Sequence, residues 1–190
     1  RQLSLMILAA LPGLGPVNIR RLDAAIEGGV EQLLSMGRAK RRLWVPERVV
    51  TELEDWRKFL DPEKVAQSLE ALGADFITCE EEPYPNALRH FGDRPVGLYR
   101  CRAGKRLPDR TIAIVGTRKP STYGRKVARE FSQELGLSGF CIVSGLAEGI
   151  DTEAHRAALD SDCLTSAVLG GGLNRCYPAS NRGLMEEIKD

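Results

Sequence analysis

Asp151 and His155 stand four residues apart in the run IVSGLAEGIDTEAH, Ile142 to His155. That spacing puts both on one face of a helix. An aspartate that orients a histidine is one route to a general base. The same pair has a structural reading, in which Asp151 caps a helix start and pins the preceding loop while His155 packs or bonds within its domain. No serine or cysteine nucleophile can be set beside them from the sequence, and the only other histidine is His90. The structural reading of Asp151 and His155 is favoured, and no catalytic residue is assigned.

A second chemistry is written in glycines. Three apolar, strand-like runs, TIAIVG, FCIVSG and LTSAVLG, each end in glycine. They are followed by Gly116-Thr117-Arg118, by Ser144-Gly145-Leu146-Ala147 and by Gly170-Gly171-Gly172. Glycine lets backbone N–H groups approach an anion, and a following helix N-terminus adds partial positive charge. Arg118, with Lys119 beside it, supplies a fork suited to phosphate oxygens. Tyr123 is placed to stack a base if the nucleic acid is unpaired, or to pack at its helix start. A dinucleotide is not expected, because VGTRKPSTYG lacks the Gly-x-Gly-x-x-Gly spacing and the second strand ends in Ser144-Gly145 rather than an acid. The phosphate loop of nucleoside triphosphatases is absent too, so no cofactor is expected. The five cysteines show no paired metal spacing; they imply no metal site and a reduced, cytoplasmic protein.

These loops need a scaffold, and the chain supplies an α/β alternation for it. Residues 111–190 run strand, helix, strand, helix, strand, helix, the grammar of a Rossmann-like parallel sheet. Ligands of such sheets sit beyond the carboxyl ends of the strands. In TYGRKVAREFSQELG, Val127, Phe131 and Leu135 are expected to form the buried helix face. Residues 1–72 read as a small all-helical domain, with helices expected from near Pro16, over 30–36, 46–60 and 62–72. Within it LPGLGPVNIRRL resembles a helix-hairpin-helix turn, and RAKRRLW reads as an exposed basic patch. Residues 73–110 form a lead-in of two strands and a basic connection. The opening RQLSLMILAALPG reads as a core-facing helix, and no run is long enough to span a membrane. Net charge is only +1, yet Arg94 to Arg129 holds eleven bases against one acid, a local positive field for an anionic partner.

Three stretches, IAIVGTRKPSTYGRKVAREF, GFCIVSGLAEGIDTEAHRAAL and TSAVLGGGLNRCYPASNRGL, closely resemble the DNA processing protein A family, also called Smf. The resemblance covers 111–184 with the family's spacing, and the helical start is similar to that family's N-terminal domain. It implies a protein that is not an enzyme but binds single-stranded DNA in the cytoplasm during natural transformation, protects it and helps load the RecA recombinase. It further implies that Gly116, Thr117, Arg118 and Lys119 contact DNA phosphates, with Ser144, Gly145, Gly149, Gly170 and Gly171 shaping the neighbouring wall, and that Asp151 and His155 are structural. A homodimer is a further expectation. Asn174 stands where the family more often has Asp, and Cys176 replaces an apolar residue. Because the family's sheet continues further, a chain ending at Asp190 is expected to be a fragment with an apparently truncated sheet. Two other readings stand beside this one: a Rossmann-type nucleotide hydrolase of the nucleoside monophosphate phosphoribohydrolase type, and an interaction scaffold with a vestigial site. The first is disfavoured because GGGLNRCYP lacks a catalytic glutamate.

Overall fold

The structure is a computed structural model that describes residues 1–101 and 106–189. The expected strand end at Arg102 and Ala103, Gly104 and Lys105 of the basic connection, and Asp190 lie outside the described residues. The chain divides into two compact units, Arg1–Lys105 and Arg106–Asp190.

The first unit is helical, with one pair of strands. Its elements are α1 (Gln2–Ala10), α2 (Pro16–Ala25), α3 (Val30–Ser35), α4 (Arg38–Arg41), α5 (Glu47–Glu54), α6 (Pro62–Ala71), β1 (Ala74–Thr78), α7 (Asn86–Arg89) and β2 (Gly97–Cys101). Proline at the first turn starts α2 and α6, where its missing N–H costs nothing. Asp61 also caps α6 by accepting the N–H groups of Glu63 and Lys64. β1 and β2 pair antiparallel from Ala74↔Cys101 to Thr78↔Gly97. Phe76 and Val96 join the core made by Leu8, Ile19, Leu33, Val50 and Leu53. Burying each such side chain contributes about 1.5–3 kcal/mol.

Two expectations are modified in this unit. The helix expected over 46–60 stops at Glu54 and is followed by a separate 3-10 turn, Trp56–Lys58. RAKRRLW is exposed as expected except at Arg41, but most of its cations are already paired within the unit. Arg41 is buried and donates to the carbonyls of Leu33 and Leu34, satisfying the end of α3. Arg38 pairs with Glu47 and Glu54, and Arg42 with Glu47.

The second unit is Rossmann-like: β3 (Thr111–Ala113), α8 (Thr122–Leu137), β4 (Cys141–Ser144), α9 (Ile150–Leu159), β5 (Thr165–Ala167) and α10 (Arg182–Lys189). The strands are all parallel in the order β3-β4-β5, with β4 central. Ser121 starts α8 by accepting the N–H of Gly124 at 3.1 Å. Ile142, Ala154 and Ala158 form the core, with Ile112, Ile114, Leu135 and Cys163 packed on it.

The buried face of α8 differs in part from the one expected: Leu135 packs on the core and Val127 is half-buried, but Phe131 is not on that face. Ala128, Ser132 and Gly136 are buried, while Phe131 is 57% exposed. α8 packs directly on α9, whose buried residues include Ala154, Ala157 and Ala158, and small side chains allow that close approach. At Gly136 even one added carbon would lie 2.7 Å from the Cys163 side chain. No helix among the described residues is long and apolar enough to cross a membrane.

Candidate functional site

The loops after β3, β4 and β5 are joined by three buried or half-buried polar groups. Asp151, 5% exposed at the start of α9, accepts the Gly116 N–H at 3.3 Å on one carboxylate oxygen and the Gly145 N–H at 3.1 Å on the other. It thereby clamps the first loop to the second. Asn181, 6% exposed, donates to the carbonyls of Leu146 and Ala147 and to the Thr152 hydroxyl. That ties the segment after β5 to the second loop. Thr152 in turn donates to the Ala147 carbonyl at 2.7 Å. Leu146, buried and in the left-handed region at φ 58°, is held there by this web.

Gly149 makes the close approach that the loops require. It sits at φ 87°, and a side chain would collide with the Thr117 carbonyl and lie 2.8 Å from the Arg118 backbone. The Thr117 carbonyl accepts the Ile150 N–H at 3.2 Å, and the Thr117 hydroxyl accepts the Lys119 N–H at 3.2 Å. The start of α9 is therefore filled by protein groups. Gly116 and Gly145, expected to offer N–H groups to phosphate, already donate to Asp151. Ser144 is buried and donates to the Ile114 carbonyl at 2.6 Å, so it bridges strands. Gly170 and Gly171 are exposed, and nothing lies within 4 Å of where a side chain would start.

What remains open is cationic and aromatic. Arg118 and Lys119 are exposed, and neither meets a carboxylate among the described residues. The Arg118 guanidinium lies 6.0 Å from the centre of the Tyr177 ring, and Tyr177 is 76% exposed. Tyr123, at the start of α8, is 77% exposed. The rest of the expected basic run is largely spent. Arg125 and Arg129 reach Glu153 at 3.0 and 3.4 Å, Arg129 also reaches Asp160 at 2.6 Å, and Lys126 pairs with Glu130. Arg100 pairs with Asp75, and Arg106 with Asp109. Among the described residues of the run that stand at the strand-end loops, Arg118 and Lys119 keep their charge uncompensated. Residue type alone does not single out Tyr177 or Asn181, since a lone tyrosine and a lone asparagine carry no spacing signal.

His155 is fully buried. The Thr165 hydroxyl donates to the Ile142 carbonyl at 2.9 Å, so it accepts from His155 Nδ1–H at 2.7 Å. Nε2 is buried without a partner among the described residues, and burial pushes the imidazole pKa down to about 4. This is a packed, neutral histidine linking α9 to β5. Among the described residues no cluster of His, Cys, Asp and Glu could hold a metal, and none of the five cysteines forms a disulfide.

Comparison with known proteins adds an independent line. The family model described as DNA recombination-mediator protein A matches residues 75–190. A protein named Smf from Synechocystis sp. is 34% identical over 188 residues, covering 93% of this chain and 46% of the relative. The DNA processing protein DprA of Streptococcus pneumoniae is 40% identical over 108 residues, 57% of this chain and 38% of that protein. The X-ray structure of DNA processing protein A from Streptococcus pneumoniae superposes with a TM-score of 0.66 at 25% identity, covering 98% of this chain and 64% of that one. The chain spans less than half the length of the curated relatives it matches.

Proposed function

The chain belongs to the DNA recombination-mediator protein A family, and we propose that its strand-end loops bind single-stranded DNA. One observation carries the reading: Arg118 and Lys119 stand exposed at the end of β3 without a carboxylate partner among the described residues, and Tyr177 faces the Arg118 guanidinium. Two cations suit phosphates, and an exposed ring suits an unpaired base, whose face a duplex would hide. This grip would protect incoming DNA during natural transformation and help deliver it to the RecA recombinase, with the protein acting as a homodimer in the cytoplasm. The relatives' printed names, a recombination mediator and DNA processing proteins, support a DNA substrate.

A binding role is supported over a catalytic one by what Asp151 and His155 do. The carboxylate is committed to two backbone N–H groups, and the imidazole is buried against Thr165. Neither has an open path to a substrate. The nucleotide-hydrolase alternative gains nothing at the third loop, where Gly172-Leu173-Asn174 supplies no carboxylate.

The test is fluorescence anisotropy of a labelled oligo-dT and of a duplex of equal length, titrated at several salt concentrations. The expected result is tighter, salt-sensitive binding of the single strand. Equal binding of both forms would overturn the single-strand reading.

A further inference from the structure

Glu148 is out of character for a phosphate-binding surface. It is exposed, and it has no hydrogen bond or ion pair among the described residues. Its neighbours on either side fix its place. Ala147 offers its carbonyl to Asn181, four residues beyond Tyr177. Gly149 lies against the Arg118 backbone. The Glu148 backbone therefore lies between a residue tied to the segment that carries Tyr177 and one lying against Arg118, and its exposed carboxylate pairs with neither cation of the first loop.

A carboxylate only accepts hydrogen bonds, and so does a phosphate. Against the backbone of DNA, Glu148 can only repel. The donors in a DNA strand are on base edges. An exocyclic amine, as on cytosine, adenine or guanine, meets a carboxylate directly. On thymine the single N–H sits between two carbonyl oxygens, which oppose a carboxylate. With Arg118 holding the phosphate and Tyr177 stacking the base, the Watson–Crick edge is free to be read.

We propose that Glu148 accepts a hydrogen bond from the exocyclic amine of a base held beside Arg118 and Tyr177, so that the site prefers amine-bearing bases over thymine. This rests on the single-strand reading above.

The experiment compares oligo-dC with oligo-dT of equal length at neutral pH. Both are pyrimidines, so stacking area is nearly matched. Binding by the chain, by Glu148→Ala and by Glu148→Gln is followed by anisotropy. The expected result is oligo-dC binding about fivefold tighter than oligo-dT. That ratio should fall to near one in Glu148→Ala and persist in part in Glu148→Gln, which keeps an acceptor without the charge. If Glu148→Ala binds both oligomers more tightly by the same factor, Glu148 acts through repulsion alone and the proposal is wrong. Equal binding of dC and dT by the unaltered chain overturns it as well. Binding of neither oligomer would bring down the single-strand reading itself, and this inference with it.

Discussion

Two glycine turns in this molecule look alike in sequence and are used differently. Gly13-Leu14-Gly15 precedes α2, and Gly116-Thr117-Arg118 precedes α8; each has arginine at or beyond the turn. At the first turn the Gly13 N–H donates to a Glu52 carboxylate oxygen at 3.3 Å, and Arg48 pairs with that carboxylate at 3.0 Å. Arg20, the arginine of the hairpin-like motif, donates to the carbonyls of Gly92 and Arg94. An internal acid thus holds the place where a phosphate would dock. At the second turn an internal acid, Asp151, also takes glycine N–H groups, but Arg118 and Lys119 meet no carboxylate among the described residues. Glycine spacing marks where the chain turns. Whether the turn binds an anion depends on which N–H groups and cations the protein has already used.

The largest effect should come from Asp151→Asn. An amide keeps the shape but faces one of the two loop N–H groups with its own N–H, leaving that group unsatisfied. We expect a loss of about 2–3 kcal/mol confined to the second unit. Both tryptophans, Trp44 and Trp56, lie in the first unit. Tryptophan fluorescence should then report an unchanged first unit while amide exchange at Ile142 accelerates. Unchanged exchange at Ile142 would mean that the clamp is not structural.

Of similar size is the response to acid. His155 is neutral in the fold, with its pKa lowered from 6.5 to about 4. A depressed value means that the unfolded chain binds the proton first. The stability this gives is present above pH 6.5 and is lost as pH falls through about 4. The loss is on the order of 3 kcal/mol in the second unit. Denaturation followed by amide exchange between those pH values should show it, and His155→Gln should flatten the profile. A slope that survives in His155→Gln would assign the acid sensitivity to other groups.

The smallest effect sharpens the contrast from the other side. Glu52→Gln removes the negative charge at the Gly13 turn, and single-strand affinity should stay within about twofold. A clear gain in affinity would make that turn a second DNA-binding element.

The α/β alternation is legible in the sequence because buried strands and amphipathic helices leave periodic marks, and the loops follow from the three strand-end glycines. The buried face of α8 is only partly legible, since Leu135 reaches the core but Phe131 does not. Phe131 carries the larger apolar surface, yet tight packing between helices selects Ala128, Ser132 and Gly136 instead. The true extent of the positive site is hidden for a similar reason. Arg125, Lys126 and Arg129 read as a basic run in one dimension, and their acids come from one turn on or from α9 and its end. The sequence marks Asp151 as a residue that pins a loop, but its second partner, Gly116, is 35 positions away.

The most direct measurement is the salt dependence of oligo-dT binding by the chain and by the double variant Arg118→Ala, Lys119→Ala. If these two residues hold the phosphates, the log–log slope should shrink in magnitude by about 1.4, roughly 0.7 for each phosphate no longer neutralised. Affinity at low salt should fall with it, by about tenfold or more. An unchanged slope and affinity in a folded double variant would contradict the account, because the strand would then be held somewhere other than the end of β3.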